Sequence, residues 1–348
     1  MQLTVALPGL LWLDPGDKDY LYPQLTSNNL NHLIKSSKIS QLPFSYSDLL
    51  YSCLGIAEEA GSLAQQIAQK LNVQDNYTTY LIAEPTHLRA DRDRLLISEA
   101  EILQLNQAEA QTIISTVNQH FSDELKLYYI SAEFWLIGLN LTLPDSQLYP
   151  SIEIIGENIA DYLPKGQHSI EFSRLLTEMQ MLLFNLDSKQ LRHSDGLISV
   201  NSLWLWDKQI KPQLCQNFKH IFLDYHLLNA NEIQDSHINK LSLGRNNAKI
   251  GAVPAQIEAA FVDKGLIIID SLYYPCRYRD SHSWLARLQH LDEKLGHLLL
   301  NWLRHKKLHE LNILVPRAKE TLQIQIRDSD KYKFWKNNTL AALSKGLE

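Results

Sequence analysis

Between residues 266 and 315 the sequence reads as a buried strand, a one-sided helix and a second buried strand, and this succession leaves few folds open. Residues 266–269 form a short, unbroken apolar run and residues 311–315 a second one broken only by Asn312, the form taken by strands covered on both faces. Between them Leu288, Leu291, Leu295, Leu298 and Trp302 alternate spacings of three and four, which puts them on one helical face. A strand, a helix of that length and a strand close as a right-handed crossover between parallel neighbours. The N-terminus repeats the opening of such a unit: residues 3–7 form an apolar run stopped by Pro8-Gly9, and Leu25, Leu30, Leu33 and Ile34 follow at helical spacing. A mostly parallel α/β sheet flanked by helices is expected, with any chemistry at the C-terminal ends of its strands.

Elsewhere, strand signals fall at residues 80–83, 125–130, 134–141 and 198–206, and helical periodicity at 48–71 and 172–186. Leu322, Ile324 and Ile326 alternate, as in an edge strand or hairpin. With 348 residues, 45% of them hydrophobic, the chain has enough apolar surface for one large domain or two of ordinary size. Lys and Arg number 33 against 39 Asp and Glu, and a net charge of -6 without clustered cations argues against a nucleic-acid partner. Cys53, Cys215 and Cys276 are odd in number and far apart, so neither a zinc spacing nor a disulfide framework is read from them, and a reducing compartment fits best. The first residues lack the cationic start of a signal peptide, and the sequence holds no apolar run long enough to span a bilayer. The expectation is a cytoplasmic protein without a membrane partner.

Three groups of residues carry possible chemistry. Arg89, Asp91, Arg92, Asp93 and Arg94 crowd three guanidinium groups and two carboxylates into six positions after a strand. Arginine is the side chain best shaped for bidentate capture of phosphate or carboxylate. In an extended backbone Asp91 and Asp93 would share one face, and Arg92 and Arg94 the other. The competing reading is a structural ion-pair lattice. Ser47, just before Asp48, could act as a nucleophile at a helix start, where exposed N–H groups stabilise an anion. The residues alone favour the plainer reading, in which Ser47 caps a helix beginning near Asp48. His305 and His309 have metal-ligand spacing, but Lys306 and Lys307 lie between them, so a solvated helix end is expected and no metal site is assigned. Trp204, Trp206, Trp302 and Trp335 are read as core or interface aromatics.

In motif order the chain resembles the archaeal-type cofactor-independent phosphoglycerate mutases of the alkaline-phosphatase superfamily, and more closely the RpfE-type regulatory proteins. The resemblance is carried by Leu7-Pro8-Gly9-Leu10-Leu11-Trp12, by His87-Leu88-Arg89-Ala90-Asp91-Arg92-Asp93-Arg94-Leu95, by Glu178-Met179-Gln180-Met181-Leu182-Leu183 and by Val200-Asn201-Ser202-Leu203-Trp204-Leu205-Trp206. It implies an alkaline-phosphatase-like core at residues 1–75 and 195–348, with an inserted smaller α/β lobe at 76–194. It also implies two divalent metals, Mn or Zn, held by Asp and His at strand ends, a transiently phosphorylated Ser matching Ser47, and substrate contacts at Arg89, Asp91, Arg92, Asp93 and Arg94.

This sequence departs from that pattern where the metals belong. An active mutase ends its first strand in Asp-Gly, and here the strand ends in Pro8-Gly9. The Asp-His at the end of the last strand is replaced by Pro316-Arg317, and the region of Tyr273, Tyr274, Pro275, Cys276 and Arg277 offers no clear counterpart to the remaining ligands. The expectation is a mutase-like protein without the two-metal centre and without a cofactor, a pseudoenzyme that recognises an anionic small molecule or a protein partner. The alternative is a metal-dependent phosphomutase or phosphatase with relocated ligands such as Asp270, Asp280 and His282.

Overall fold

A computed structural model describes residues 2–53, 61–98, 103–143, 147–187, 197–210, 214, 218, 220–223, 238–240, 264–327, 330 and 336–345. Contacts divide the chain into a larger unit (residues 1–53, 213–225 and 234–348) and a smaller unit (54–212 and 226–233). Among the described residues the first strands are β1 (Gln2–Ala6), β2 (Lys38–Leu42), β3 (Gly61–Ser62), β4 (Thr79–Thr86), β5 (Leu88–Asp91), β6 (Arg94–Ile97), β7 (Leu125–Tyr129) and β8 (Trp135–Leu139). There follow β9 (Ser202–Trp206), β10 (Gln209–Ile210), β11 (His220–Leu223), β12 (Ile238–Lys240), β13 (Gly265–Ile268), β14 (Glu310–Pro316) and β15 (Thr321–Arg327).

In the larger unit these form a seven-stranded sheet of order β12-β11-β13-β1-β14-β15-β2. β1 runs parallel between β13 and β14, with Val5 opposite Ile267 on one side and Ile313 on the other. The three apolar runs at 3–7, 266–269 and 311–315 therefore share one sheet, as expected. β15 returns antiparallel to β14, and β2, which the sequence reading did not anticipate, closes the edge antiparallel to β15. β2 reads Lys-Ile-Ser-Gln-Leu, too polar for a buried-strand signal and consistent with its place at an edge.

The crossover helix is interrupted. It runs as an α-helix over Ser281–Leu291, a π turn over Asp292–Gly296 and an α-helix over His297–Arg304. Trp284, Leu288, Leu291, Leu295, Leu299 and Trp302 pack into one core with Leu3, Val5, Ile267 and Ile313. The apolar face matches the expected one except that Leu299 takes the fully buried position and Leu298 is only partly buried. The π turn aims the buried Asp292 carboxylate at the start of the helix Asn29–Ile34. There it accepts from the backbone N–H groups of Asn29 (3.1 Å) and Leu30 (2.6 Å), from the Asn29 side chain and from the Ser27 hydroxyl.

The smaller unit holds an antiparallel sheet of order β7-β8-β4-β9, packed with the helices Gln107–His120 and Ser169–Asp187, and the separate hairpin β5-β6. β9 differs from its expected place in the larger core: every residue of it is buried, and it pairs along β4 from Ile82↔Trp206 to Thr86↔Ser202. The periodic stretch 48–71 is also not one helix. Tyr46–Ser52 and Leu63–Lys70 are separate, and the second starts afresh at Ser62, with Asp207 accepting from the Ala64 N–H (3.0 Å). The cysteine reading is corrected in part, since Cys53 is disulfide-bonded whereas Cys276 is a buried free thiol. Among the described residues no helix is long and apolar enough to cross a membrane.

Candidate functional site

In the larger unit the C-terminal ends of the parallel strands β1, β13 and β14 bring Pro8, Asp270 and Arg317 to one edge of the sheet. The turn after β1 is packed tightly. Gly9 sits at φ +78°, and a Cβ there would meet the Leu272 carbonyl oxygen at 2.6 Å and Tyr273 Cα at 2.8 Å, so only glycine fits. Its carbonyl oxygen accepts from the Trp284 indole at 2.7 Å. The first turns after β1 and β13 thus lie backbone against backbone.

Aromatic side chains cover this edge. Tyr46 is 2% exposed, and its ring centroid lies 4.9 Å from that of Tyr273. Burial first, and the Asp270 charge second, push the Tyr46 phenol well above its ordinary range, so it stays neutral. Its hydroxyl has no hydrogen-bond partner among the described residues. The Tyr46 N–H donates to the Arg317 carbonyl at 3.2 Å. The Arg317 guanidinium reaches Glu320 through Nη1 at 3.3 Å, its Nε is buried without a partner among the described residues, and burial lowers its pKa.

Ser47 lies beside this edge, fully buried, with its Oγ 3.0 Å from that of Ser45. The helix cap is Ser45, not Ser47. Asp48 N–H donates to Ser45 Oγ (3.2 Å) and the Asp48 carboxylate accepts from the Ser45 N–H (2.8 Å), a reciprocal capping box that starts the helix at Tyr46. The sequence signal for this cap is the spacing Ser45-x-x-Asp48, which the adjacent Ser47-Asp48 pair masks.

Among the described residues, the side chains at this edge do not make up a donor set for a pair of divalent metals. A dication site is built from several carboxylates and imidazoles. Among the described residues at this edge, Asp270 follows β13, the Asp48 and Glu320 carboxylates are engaged by Ser45 and Arg317, and the Pro8 side chain offers no donor atom. Among the described residues no group of three or more His, Cys, Asp or Glu side chains is placed to hold a metal ion, and Asp270, Asp280 and His282 form no such group. Asp280 instead caps the helix Ser281–Leu291 by accepting from the Ser283 N–H at 3.1 Å, hydrogen bonds from the Ser283 side chain and then its backbone hold the Asp280 pKa low, and His282 is exposed. His305 caps the end of the helix His297–Arg304 and His309 lies beyond it, both exposed.

The arginine run lies in the smaller unit and is a hairpin rather than one extended segment. β5 and β6 pair antiparallel with Asp91 opposite Arg94, so Arg92 and Asp93 form the turn. Arg94 donates to Asp91 at 3.0 Å across the strands, a pair more than two-fifths exposed and worth at most about 1 kcal/mol. Arg89, Arg92, Asp93 and Arg94 are exposed, and Arg92 sits at φ +56°. The sequence shows no Asn or Gly at these positions, which is why an extended reading was natural. Among the described residues neither Arg92 nor Asp93 makes an ion pair.

Side chains that the sequence reading did not single out fix the base of this hairpin. Asn201 accepts from the Leu88 N–H (2.7 Å) and donates to the Leu88 carbonyl (2.9 Å), imitating a strand partner. Asn158 accepts from the Leu95 N–H (3.2 Å), and His87 Nδ1 meets the Ser199 carbonyl (2.9 Å). Replacing Asn201 by Ala leaves both backbone groups of Leu88 unpaired. The expected loss is about 1–3 kcal/mol, with faster amide exchange confined to residues 88–97; unchanged exchange there would show that Asn201 is not the tether.

Comparison with known proteins finds no family model that matches the chain. A stretch of 111 residues is 27% identical to the 2,3-bisphosphoglycerate-independent phosphoglycerate mutase of Methanosarcina mazei, covering 31% of this chain and 28% of that protein. A stretch of 134 residues is 25% identical to the probable 2,3-bisphosphoglycerate-independent phosphoglycerate mutase of Geobacter sulfurreducens, covering 37% and 32%. The match thus spans less than a third of these relatives' length. Among solved structures, the PH0037 protein of Pyrococcus horikoshii aligns with a TM-score of 0.48 at 10% identity, over 98% of this chain and 91% of that one. The cofactor-independent phosphoglycerate mutase of Thermoplasma acidophilum aligns with a TM-score of 0.40 at 14% identity, over 99% and 95%.

Proposed function

We propose that this chain is a phosphoglycerate-mutase-like protein of the alkaline-phosphatase superfamily that no longer performs phosphoryl transfer and acts as a regulatory protein by recognising an anionic small molecule through the β5-β6 hairpin. The observation that carries this reading is the state of Arg92. A non-glycine residue at φ +56° is strained by roughly 1 kcal/mol, and glycine or asparagine would hold the turn more easily. An arginine kept there, exposed between Arg89 and Arg94, supports a role for its charge rather than for the turn. The larger unit supports the loss of chemistry. A phosphoryl-transfer site needs metals to neutralise the transferring group and to activate the nucleophile. At this edge a guanidinium would repel both ions, the Pro8 side chain carries no donor atom, and Ser47 is buried beneath the helix start.

The test uses the purified full chain prepared without chelators. Elemental analysis is expected to find no stoichiometric Mn, Zn or Mg, and a coupled assay no turnover of either phosphoglycerate. Isothermal titration with inorganic phosphate and with 3-phosphoglycerate is expected to show binding that the double variant Arg92→Ala, Arg94→Ala weakens at least about tenfold, the equivalent of losing one charge-assisted contact. Two metals per chain with turnover abolished by Ser47→Ala would replace this reading with the phosphomutase alternative. Undiminished anion binding in the double variant would remove the hairpin from it.

A further inference from the structure

Glu84 is a carboxyl group buried in the sheet of the smaller unit, 3% exposed, on β4 between Ala83 and Pro85. Buried carboxylates are ordinarily matched by a cation. This one is matched only by neutral donors: the Ser151 hydroxyl and backbone N–H, at the start of the helix Ser151–Ile154, and the Trp206 indole on β9. Among the described residues, the elements packed around it bring no counter-charge to its carboxyl. On β8 the residues paired with β4 beside it are Trp135, Leu136 and Ile137, and β9 has no titratable side chain between Ser202 and Trp206. Glu153 on the short helix is held by Lys208 at 2.5 Å, and His87 is engaged with the Ser199 carbonyl.

We infer that Glu84 is a proton-controlled latch that, when neutral, fastens β9 and the helix Ser151–Ile154 to β4, and when ionised loosens the base of the hairpin β5-β6. The connection runs through two strands. Glu84 lies opposite Trp204 and Thr86 opposite Ser202, and the next residues along are His87 and Leu88 on one strand and Asn201 on the other. Any opening of the β4-β9 seam therefore frees the tether that holds Leu88. Burial favours the neutral acid and outweighs the Ser151 and Trp206 donors, which favour the carboxylate, so the ionised form regains its lost hydration by opening. Burial lifts this group from 4.5 to about 7, which places the change at physiological pH. The latch stands without the proposed anion site; only its effect on binding rests on that reading.

The experiment follows the Trp206 indole N–H by NMR in protein labelled at tryptophan nitrogen, together with amide exchange at Leu88 and Leu95, from pH 5.5 to 8.5 and without any anion. The indole signal is expected to titrate with a midpoint at about 7. After correction for base catalysis, the opening equilibrium at Leu88 and Leu95 should rise about twentyfold between pH 5.5 and 7.5, the linkage expected of one carboxyl whose value moves from 4.5 to about 7. In Glu84→Gln both readouts should be flat with pH. An indole signal that does not titrate in the natural protein, or hairpin exchange independent of pH, overturns the latch. Neither result depends on whether phosphate binds, so failure of the anion reading remains separate.

Discussion

Replacing Asp292 by Ala is expected to remove about 3–5 kcal/mol of stability, measured as a fall in the urea midpoint at constant slope. The carboxylate is 2% exposed and lies in the π turn. It accepts from two backbone N–H groups, a hydroxyl and an amide at the beginning of the helix Asn29–Ile34. Alanine leaves the buried Leu30 N–H without its acceptor and removes the carboxylate from the part-buried Asn29 N–H and Ser27 hydroxyl, while the Asn29 amide keeps the backbone carbonyl of residue 292 (3.1 Å). That short helix has no cap of its own, since the Asn28 side chain makes no capping hydrogen bond. The acceptor must come from across the fold, and a six-residue helix is too short to hold itself. Asp292→Asn keeps one acceptor oxygen and should lose distinctly less. A loss below about 1 kcal/mol for alanine, the level of an ordinary surface change, would show that the helix start finds another partner.

The second large effect is on the pH dependence of unfolding. The folded-state value for Glu84 is raised from 4.5 to about 7, so the native protein holds a proton that the unfolded chain has already released. Its contribution is therefore fully present below about pH 4.5 and is lost as pH rises through about 7. At 1.36 kcal/mol per pH unit, that shift corresponds to on the order of 3 kcal/mol less stability at pH 8.5 than at pH 4.5. Asp207 is raised by burial and acts in the same direction. Asp280 and Asp75 are held low by hydrogen bonds, so their contributions are lost only as pH falls through the acid range and do not oppose Glu84 near neutrality. Glu84→Gln should flatten most of the slope between pH 5 and 8.5, and Asp207→Asn a smaller part. A natural protein whose stability is constant over that range would show that the carboxyl is solvated in solution.

Much of the sheet could be read from the chain because the deciding forces there are local and repetitive. The runs at 3–7, 266–269 and 311–315 are apolar apart from Thr4 and Asn312, and such segments are most stable in the middle of a sheet covered on both faces. The helix face from Leu288 to Trp302 supplies that cover. The alternation of Leu322, Ile324 and Ile326 likewise gave β15. What periodicity could not give was the π turn, β2 or the place of β9. These depend on partners more than a hundred positions away: Asn29 and Leu30 for Asp292, β15 for β2, and β4 for β9.

The same division holds at the candidate site. The sequence by itself determined which groups are available: Pro8 and Arg317 at strand ends, five charged side chains between Arg89 and Arg94, and Ser47 at a helix start. Those are facts of composition and order, and the chemistry of each residue type follows directly. Only the tertiary structure decided that Ser45 rather than Ser47 caps the helix, that the charged run is a hairpin turning at Arg92, that Asn201 and Asn158 hold its base, and that Glu84 is buried without a cation. Each of these rests on a hydrogen bond or a desolvation set by backbone geometry and by chain segments distant in sequence. A residue's identity fixes what it can donate or accept, but only the fold fixes what stands opposite it and how much water remains.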